Sequence, residues 1–250
     1  MPAPIDCVFL DVGNTVISMD YALLCELLAA SGVATTSTAL ARAEAAARPP
    51  LSRFLASGGS TEAGGARTFY LRTILAGLPG QDGDVDAAVA AMEAELRTKV
   101  TTERLWSRVL PGVPEALERL RAEGLVLVAV SNSDGTVEQG LRDTGLRPYF
   151  DAVVDSAVVG FEKPDPRIFR HALELVGARP DRTVHVGDLY AADVVGARAA
   201  GLHALLLDPF GDWTDVDCDV VTDVGAIAAW IRGAARDGRP SRVAAPGRSR

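Results

Sequence analysis

Short apolar runs alternate with amphipathic helical patterns along most of the chain, and this alternation restricts the fold more than any other feature. The apolar runs occupy residues 7–10, 125–130, 152–154, 184–186 and 203–207, and a further run begins at residue 220. One helical pattern opens at Pro114 and places Ala116, Leu117 and Leu120 on a common face before Gly124 ends it. Strands and helices that alternate in this way are typical of a parallel sheet with crossover helices. We therefore predict a Rossmann-like α/β core.

The alternation breaks between about residues 20 and 107, where no strand pattern is present. Helical stretches occur there instead, at residues 21–30, 38–47, 67–76 and 85–99. In the last stretch the apolar residues recur at the i, i+3, i+4 spacing of one helix face. We predict an all-helical insertion after the first strand. An insertion at that point lies over the carboxyl ends of the strands, where open α/β sheets bind ligands, so it is a candidate lid.

These patterns predict the domain boundaries. Residues 1–19 and 108–232 are expected to form the Rossmann-like core, and residues 20–107 the helical cap. Residues 233–250 are rich in Gly, Pro, Ala and Arg and show no periodicity, so we expect a disordered tail.

Charge and apolar content exclude several kinds of partner. The chain has 25 Lys and Arg against 33 Asp and Glu, a net charge of −8, which argues against nucleic acid as a partner. No run approaches the roughly 20 apolar residues that span a bilayer, so no membrane partner is expected. The first residues lack the basic and apolar segments of a secretory signal, so we expect a cytoplasmic protein.

Four polar clusters follow predicted strands, and a parallel sheet brings such positions to one edge. They are Asp11-Val12-Gly13-Asn14-Thr15, Ser131-Asn132, Lys163, and Gly187-Asp188 with Asp193. Carboxylates that meet in one crevice repel each other unless a cation joins them. Oxygen ligands favour a hard ion, and Mg²⁺ suits a site that also binds phosphate. A lysine ammonium and a serine hydroxyl supply the charge and hydrogen bonds that a phosphoryl group needs.

These four ordered motifs resemble those of the haloacid dehalogenase-like (HAD) hydrolase superfamily, in the branch with a helical cap inserted after the first strand. The resemblance covers roughly residues 5–207. It implies that Asp11 is a nucleophile that forms an aspartyl-phosphate. It also implies that Ser131 and the Asn132 backbone bind the transferring phosphoryl group. Lys163 would bridge the nucleophile and the phosphoryl oxygens as a compact cation.

The same resemblance implies a Mg²⁺ site. Asp188 would hold the ion together with the Asp11 carboxylate and the Gly13 carbonyl. Asp193 would fix the acidic loop or a metal-bound water, and Thr15 would support the first loop. The implied partner is a small phosphorylated substrate, and the oligomeric state stays open.

Gly13 departs from the pattern of the phosphatases in this superfamily. They carry there a second Asp that protonates the leaving oxygen and later activates water, and glycine cannot transfer a proton. Loss of a general acid/base typically costs about 10²–10⁴ in rate. The leaving group would then have to depart unprotonated, or another residue would have to substitute, or the activity would be slow or absent. We predict that Gly13→Asp raises activity on alkyl phosphates.

Three interpretations of the function therefore stay open. The first is a Mg²⁺-dependent phosphatase of a small metabolite. The second is a weak or inactive relative that binds a phosphorylated ligand or a protein. The third is a carbon–halogen or phosphonate hydrolase. Phosphonate-cleaving relatives use a cap lysine, but residues 20–98 contain none, and dehalogenases usually replace the Gly187-Asp188 pair that is present here.

Overall fold

The computed structural model describes residues 4–30, 32–58, 64–80, 83–99 and 102–237. Its main sheet has six parallel strands in the order β5-β4-β1-β6-β7-β8. These strands are β1 (Cys7–Leu10), β4 (Val126–Ser131), β5 (Ala152–Asp155), β6 (Thr183–Gly187), β7 (His203–Leu207) and β8 (Asp219–Val221). The predicted parallel Rossmann-like core is confirmed, and each of its strands overlaps a predicted apolar run.

Helices cover both faces of this sheet, which is why its central strands are apolar throughout. The helices are α6 (Val113–Ala122), α7 (Val137–Asp143), α8 (Ser156–Val159), α9 (Pro166–Val176), α10 (Val195–Ala199) and α11 (Ile227–Asp237). Successive side chains of β1 point to opposite faces, so Val8 and Leu10 pack in one core while Cys7 and Phe9 pack in the other. The sheet is therefore buried on both sides.

The register of the central strands sets the position of the polar clusters. Leu10 of β1 pairs with Ala129 of β4 on one side and with Val186 of β6 on the other. The chain leaves each of these strands within two residues of the paired positions. The segments that follow β1, β4 and β6 therefore meet at one edge of the sheet.

The helical cap is defined here as helices α1 to α5, which lie between β2 and β3. These elements are β2 (Ile17–Met19), α1 (Tyr21–Ala30), α2 (Ser37–Ala56), α3 (Gly64–Ala76), α4 (Val85–Lys99), α5 (Thr102–Leu105) and β3 (Trp106–Val109). The cap has its own apolar core, which includes Leu28, Leu40, Leu75 and Met92. Its division from the core domain at residues 20 and 107 stays a prediction.

Two features of this region were not expected from the sequence. β2 and β3 form an antiparallel pair at the two junctions of the cap, with Met19 opposite Trp106. Both strands are too short to show a periodic pattern. Helix α2 also continues to Ala56 through Pro49 and Pro50, although we expected the helical stretch to end at residue 47. Burial of Leu51 and Leu55 favours the continued helix beyond the prolines.

The predicted start of the disordered tail, residue 233, lies too early in the chain. Helix α11 extends through residues 233–237, because the apolar face begun by Ile227 and Ala228 leads into a segment of helix-forming alanine and arginine. Residues 238–250 lie outside the described part of the chain. Among the described residues, none of the helices combines the length and the apolarity needed to cross a bilayer.

Candidate active site

Asp11 lies directly after β1, at the centre of the sheet edge. Its backbone N–H donates to the Val186 carbonyl at 2.9 Å, which continues the β1–β6 pairing by one residue. The loop then turns sharply, because Asn14 adopts a left-handed φ of 54° and its N–H donates to the Ile17 carbonyl at 2.6 Å. The Asp11 side chain is buried at this turn.

Lys163 joins Asp11 to Asp193. Its Nζ donates to Asp11 Oδ1 at 2.6 Å and to Asp193 Oδ1 at 2.7 Å, and the lysine is only 4% exposed. Burial by itself would lower the pKa of Lys163, but the two carboxylates raise it above its ordinary value. The structure therefore places a permanent cation against the predicted nucleophile.

The Asn132 side chain positions Lys163. Asn132 Oδ1 accepts from the Lys163 N–H at 2.7 Å, and Asn132 Nδ2 donates to the Lys163 carbonyl at 2.9 Å. We predicted Asn132 to bind the phosphoryl group through its backbone. The structure adds a task for its side chain, since this reciprocal pair ties the end of β4 to the lysine loop.

Asp193 has more partners than the sequence suggested. Besides Lys163, its carboxylate contacts His185 Nε2 at 2.9 Å and accepts from the Leu189 N–H at 2.9 Å. Burial would raise the pKa of Asp193, but the ammonium and the imidazole hold it well below its usual range. Burial lowers the pKa of His185, which keeps the ring neutral. The role of His185 could not be predicted from the sequence, because a histidine inside an apolar strand gives no indication of its partner.

Gly187 makes room for Asp193. A Cβ atom at Gly187 would lie 2.2 Å from the Asp193 Cγ, a distance that no side chain can adopt. The glycine that ends β6 therefore allows the Asp193 carboxylate to fold back over the strand end. This is a requirement of space, and the backbone at Gly187 is ordinary.

Asp188 completes a cluster of three buried carboxylates. Oxygen atoms of Asp11, Asp188 and Asp193 all lie within 4.8 Å of one another. Burial raises the pKa of Asp11 to about 6 in spite of Lys163, and it raises the pKa of Asp188 to about 8 in spite of Arg48. Three crowded, buried oxygen donors with such pKa values suit a hard divalent cation, which would favour their ionised forms. The donor set therefore fits Mg²⁺.

Two further predicted site residues lie in different surroundings. Ser131 ends β4 and lines the cavity described below, and its hydroxyl makes only a long contact of 3.5 Å with the Asn132 carbonyl. Among the described residues no closer partner occupies this hydroxyl, so it is a candidate ligand-binding group. Thr15 is fully buried and does not line the cavity, and within the described residues its hydroxyl has no hydrogen-bond partner.

The Trp106 indole occupies the space beside Gly13. A Cβ atom at Gly13 would lie 3.2 Å from a carbon of the Trp106 ring, closer than most packed side chains approach. Trp106 comes from β3, 93 positions further along the chain. A Cβ atom at position 13 would require this ring to move by a few tenths of an ångström. Nothing in the sequence near Gly13 points to that contact.

A buried polar cluster of the cap faces the carboxylates. Glu44 and Arg48 lie one turn apart on α2 and form a bidentate pair at 2.7 and 2.8 Å. Arg48 Nε also lies 3.3 Å from Asp188 Oδ2. A cation bound at Asp188 would therefore share this carboxylate with Arg48. This pair was not predicted from the sequence, because Glu and Arg four residues apart usually form a solvent-exposed contact.

The remaining contacts of Glu44 tie the cap to the first loop. Its carboxylate accepts from Asn14 Nδ2 at 3.0 Å, from the Tyr21 hydroxyl at 3.1 Å and from the Tyr70 hydroxyl. Together with the two bonds from Arg48, five hydrogen bonds reach this one carboxylate. Such a carboxylate has every lone pair in use as an acceptor, so Glu44 is not available as a proton donor.

A cavity of about 540 Å³ lies between the sheet edge and the cap. Its floor includes Asp11, Ser131, Lys163 and Asp188, and its cap side includes Met19, Arg67, Tyr70, Leu71, Leu96, Leu105 and Trp106. Charged and hydroxyl groups therefore line one side, and mainly apolar side chains line the other. This volume accommodates a small molecule.

The chain is similar in sequence to a known protein family and to individual members of it. A family described as "Hydrolase: haloacid dehalogenase-like hydrolase" matches residues 5–201. The phosphoglycolate phosphatase of Nitrosospira multiformis is 30% identical over 226 residues, which cover 88% of this chain and 92% of that protein. Haloacid dehalogenase-like hydrolase domain-containing protein 3 of Bos taurus is 42% identical over 128 residues, 51% of each chain. The match thus spans about half the length of this second relative.

A solved structure shares the fold. The magnesium-bound HAD-hydrolase YfnB of Bacillus subtilis aligns with a TM-score of 0.65 at 19% identity, covering 92% of this chain and 99% of that chain. At this identity the likeness is one of fold alone. It extends over both the parallel sheet and the inserted helices.

Proposed function

Because the chain belongs to the haloacid dehalogenase-like hydrolase family, we propose that it is a Mg²⁺-dependent phosphatase that acts on a small phosphorylated substrate through Asp11. The observation that carries the proposal is the position of the Lys163 ammonium. It lies 2.6 Å from Asp11 Oδ1 at the floor of the cavity between the sheet edge and the cap. A buried ammonium beside a carboxylate holds that carboxylate ready and also neutralises an incoming phosphoryl group.

Asp11 would attack phosphorus, so that a bond forms between its carboxylate oxygen and phosphorus while the bond to the leaving oxygen breaks. Lys163 and the Ser131 hydroxyl would bind the phosphoryl oxygens as charge develops on them. Water would then attack the aspartyl-phosphate, release inorganic phosphate and restore Asp11. When bound, Mg²⁺ would neutralise phosphoryl charge. Asp11, Asp188 and the Gly13 carbonyl would hold it.

Gly13 cannot supply the proton that the leaving oxygen needs. Glu44 has all its lone pairs engaged, and the Tyr70 hydroxyl already donates to Glu44. Burial and the Glu44 charge raise the pKa of Tyr70 well above its usual value, so it is a weak acid. Asp134 is the carboxyl group that lines the described cavity outside the buried cluster of three. Because Gly13, Glu44 and Tyr70 do not supply the proton, we propose that the favoured substrates are those whose leaving group departs without one.

Turnover of acetyl phosphate tests the proposed function, because its acetate leaving group needs no protonation. With Mg²⁺ we expect steady release of phosphate that falls to background when EDTA is added. Binding of acetyl phosphate without turnover would instead favour the second interpretation, an inactive relative that binds a phosphorylated ligand. Release of halide from a 2-haloacid in the presence of EDTA would favour the dehalogenase.

The contact between Gly13 and Trp106 changes the prediction made from the sequence alone. Gly13→Asp by itself is expected to give little gain on an alkyl phosphate such as glycerol phosphate, because the new side chain meets the indole ring. The pair Gly13→Asp with Trp106→Ala is expected to gain about 10²–10⁴ in kcat/KM, the usual value of a general acid. Trp106→Ala alone is the control and should gain nothing. No gain in the pair would show that the missing acid does not limit the rate.

A further inference from the structure

We infer that the cap side of the cavity is a subsite for an aromatic leaving group, stacked on Trp106, and that the substrates are aryl phosphates. This inference rests on the proposed function and specifies the substrate class. The occupant is identified by two independent features, the surface that surrounds it and the chemistry that its release requires.

The first feature is the wall that faces the phosphoryl-binding floor. Trp106 is half-buried, lies against Gly13 and lines the cavity. Met19, opposite Trp106 across the β2–β3 pair, lines the same cavity, and so do Leu96 and Leu105. A flat indole bordered by aliphatic and thioether side chains binds another ring by offset stacking and apolar contact. A polyhydroxylated leaving group placed against these apolar side chains would lose hydration there without gaining hydrogen bonds from them, although Arg67 and Tyr70 also line the cap side of the cavity.

The second feature is the missing acid at Gly13. Glycine carries no carboxyl group, and the Trp106 ring lies 3.2 Å from the place that a Cβ atom would take there. An alkoxide would have to leave unprotonated there, which is slow because alcohols are very weak acids. A phenoxide is a far better leaving group, since phenols have a pKa of about 10. The site thus lacks a proton donor at position 13 and offers, beside it, an aromatic surface for the kind of leaving group that does not need one.

The position of the ring relative to the nucleophile supports the assignment. Asp11, Gly13 and Trp106 all line the same cavity, and the indole lies beside Gly13, two residues along the chain from the nucleophile. The fixed contact of β3 with β2 holds the indole there.

A binding experiment with non-hydrolysable ligands tests the subsite independently of catalysis. Phenylphosphonate and methylphosphonate share the phosphonate group and differ in the ring. In the presence of Mg²⁺ we expect phenylphosphonate to bind the full chain at least about 10-fold more tightly, by isothermal titration calorimetry. Trp106→Leu keeps an apolar side chain but removes the aromatic face, and it should reduce this preference to about 3-fold or less. Equal binding of the two ligands by the unaltered protein would overturn the inference.

A kinetic comparison separates this inference from the proposed function. Trp106→Leu is expected to lower kcat/KM for phenyl phosphate about 3- to 10-fold more than for acetyl phosphate, which has a good leaving group but no ring. Trp230→Phe changes a tryptophan that does not line the cavity, and it should leave the ratio unchanged. Equal losses on both substrates would contradict stacking at Trp106. If neither substrate is turned over while phenylphosphonate still binds selectively, the phosphatase proposal fails and the aromatic subsite stands.

Discussion

Asp11→Asn is expected to lower kcat/KM for acetyl phosphate by roughly 10⁴- to 10⁶-fold, the range typical for loss of a covalent nucleophile. The amide has nearly the same size and can still accept a hydrogen bond from Lys163, but it cannot form the aspartyl-phosphate. The fold is expected to persist, because the change also removes one of three carboxylates crowded within 4.8 Å. Steady-state kinetics measures the loss, and circular dichroism measures the fold.

Asp208→Asn is a matched control for this variant. Asp208 is also a buried carboxylate directly after a strand of the same sheet, but it does not line the cavity. It accepts backbone hydrogen bonds from Gly211, Asp212 and Trp213, so its role is to hold a loop. We expect the kcat/KM of Asp208→Asn to stay within a few-fold of that of the unaltered protein. Equal losses in the two variants would show that the effect arises from folding and not from the nucleophile.

Lys163→Met is expected to have the largest effect on stability. The change leaves Asp11 and Asp193 buried without their shared cation, and breaking a buried ion pair typically costs about 3–5 kcal/mol of unfolding free energy. Urea unfolding followed by circular dichroism measures this loss. Adding Asp11→Asn to Lys163→Met should recover part of the stability, because one of the unpaired charges is then gone. A double variant no more stable than Lys163→Met would contradict the ion-pair account.

The loss in Lys163→Met should depend on pH. In the unaltered protein the pKa of Asp193 lies below its unfolded value, so this group stabilises the fold above the unfolded pKa and loses its effect as the pH falls. The pKa of Asp11 is raised to about 6, so its contribution is present at low pH and is lost as the pH rises through about 6. Without the ammonium both carboxylates protonate more readily. The deficit of the variant should therefore be larger at pH 8 than at pH 5.

The parallel sheet could be predicted because its strands are short and buried on both faces. Such strands appear in the sequence as continuous apolar runs, for example at residues 7–10 and 184–186. The family resemblance was also confirmed, since the haloacid dehalogenase-like hydrolase family matches residues 5–201. By contrast, β2 and β3 were missed, because three or four residues cannot show a period and their pairing joins positions about 90 residues apart. The start of the expected disordered tail at residue 233 was also misplaced, since residues 233–237 belong to α11.

The sequence by itself determined which residue types stand at the carboxyl edge of the sheet. Asp11 follows β1 and Ser131 ends β4. Because parallel strands share a direction, residues at these positions lie at the same edge of the sheet. Only the tertiary structure decided what meets those groups. The Trp106 ring beside Gly13, the Arg48 guanidinium beside Asp188 and the His185 ring beside Asp193 are contacts made through space. Local periodicity records which face of an element is buried, but it does not record which distant side chain covers that face.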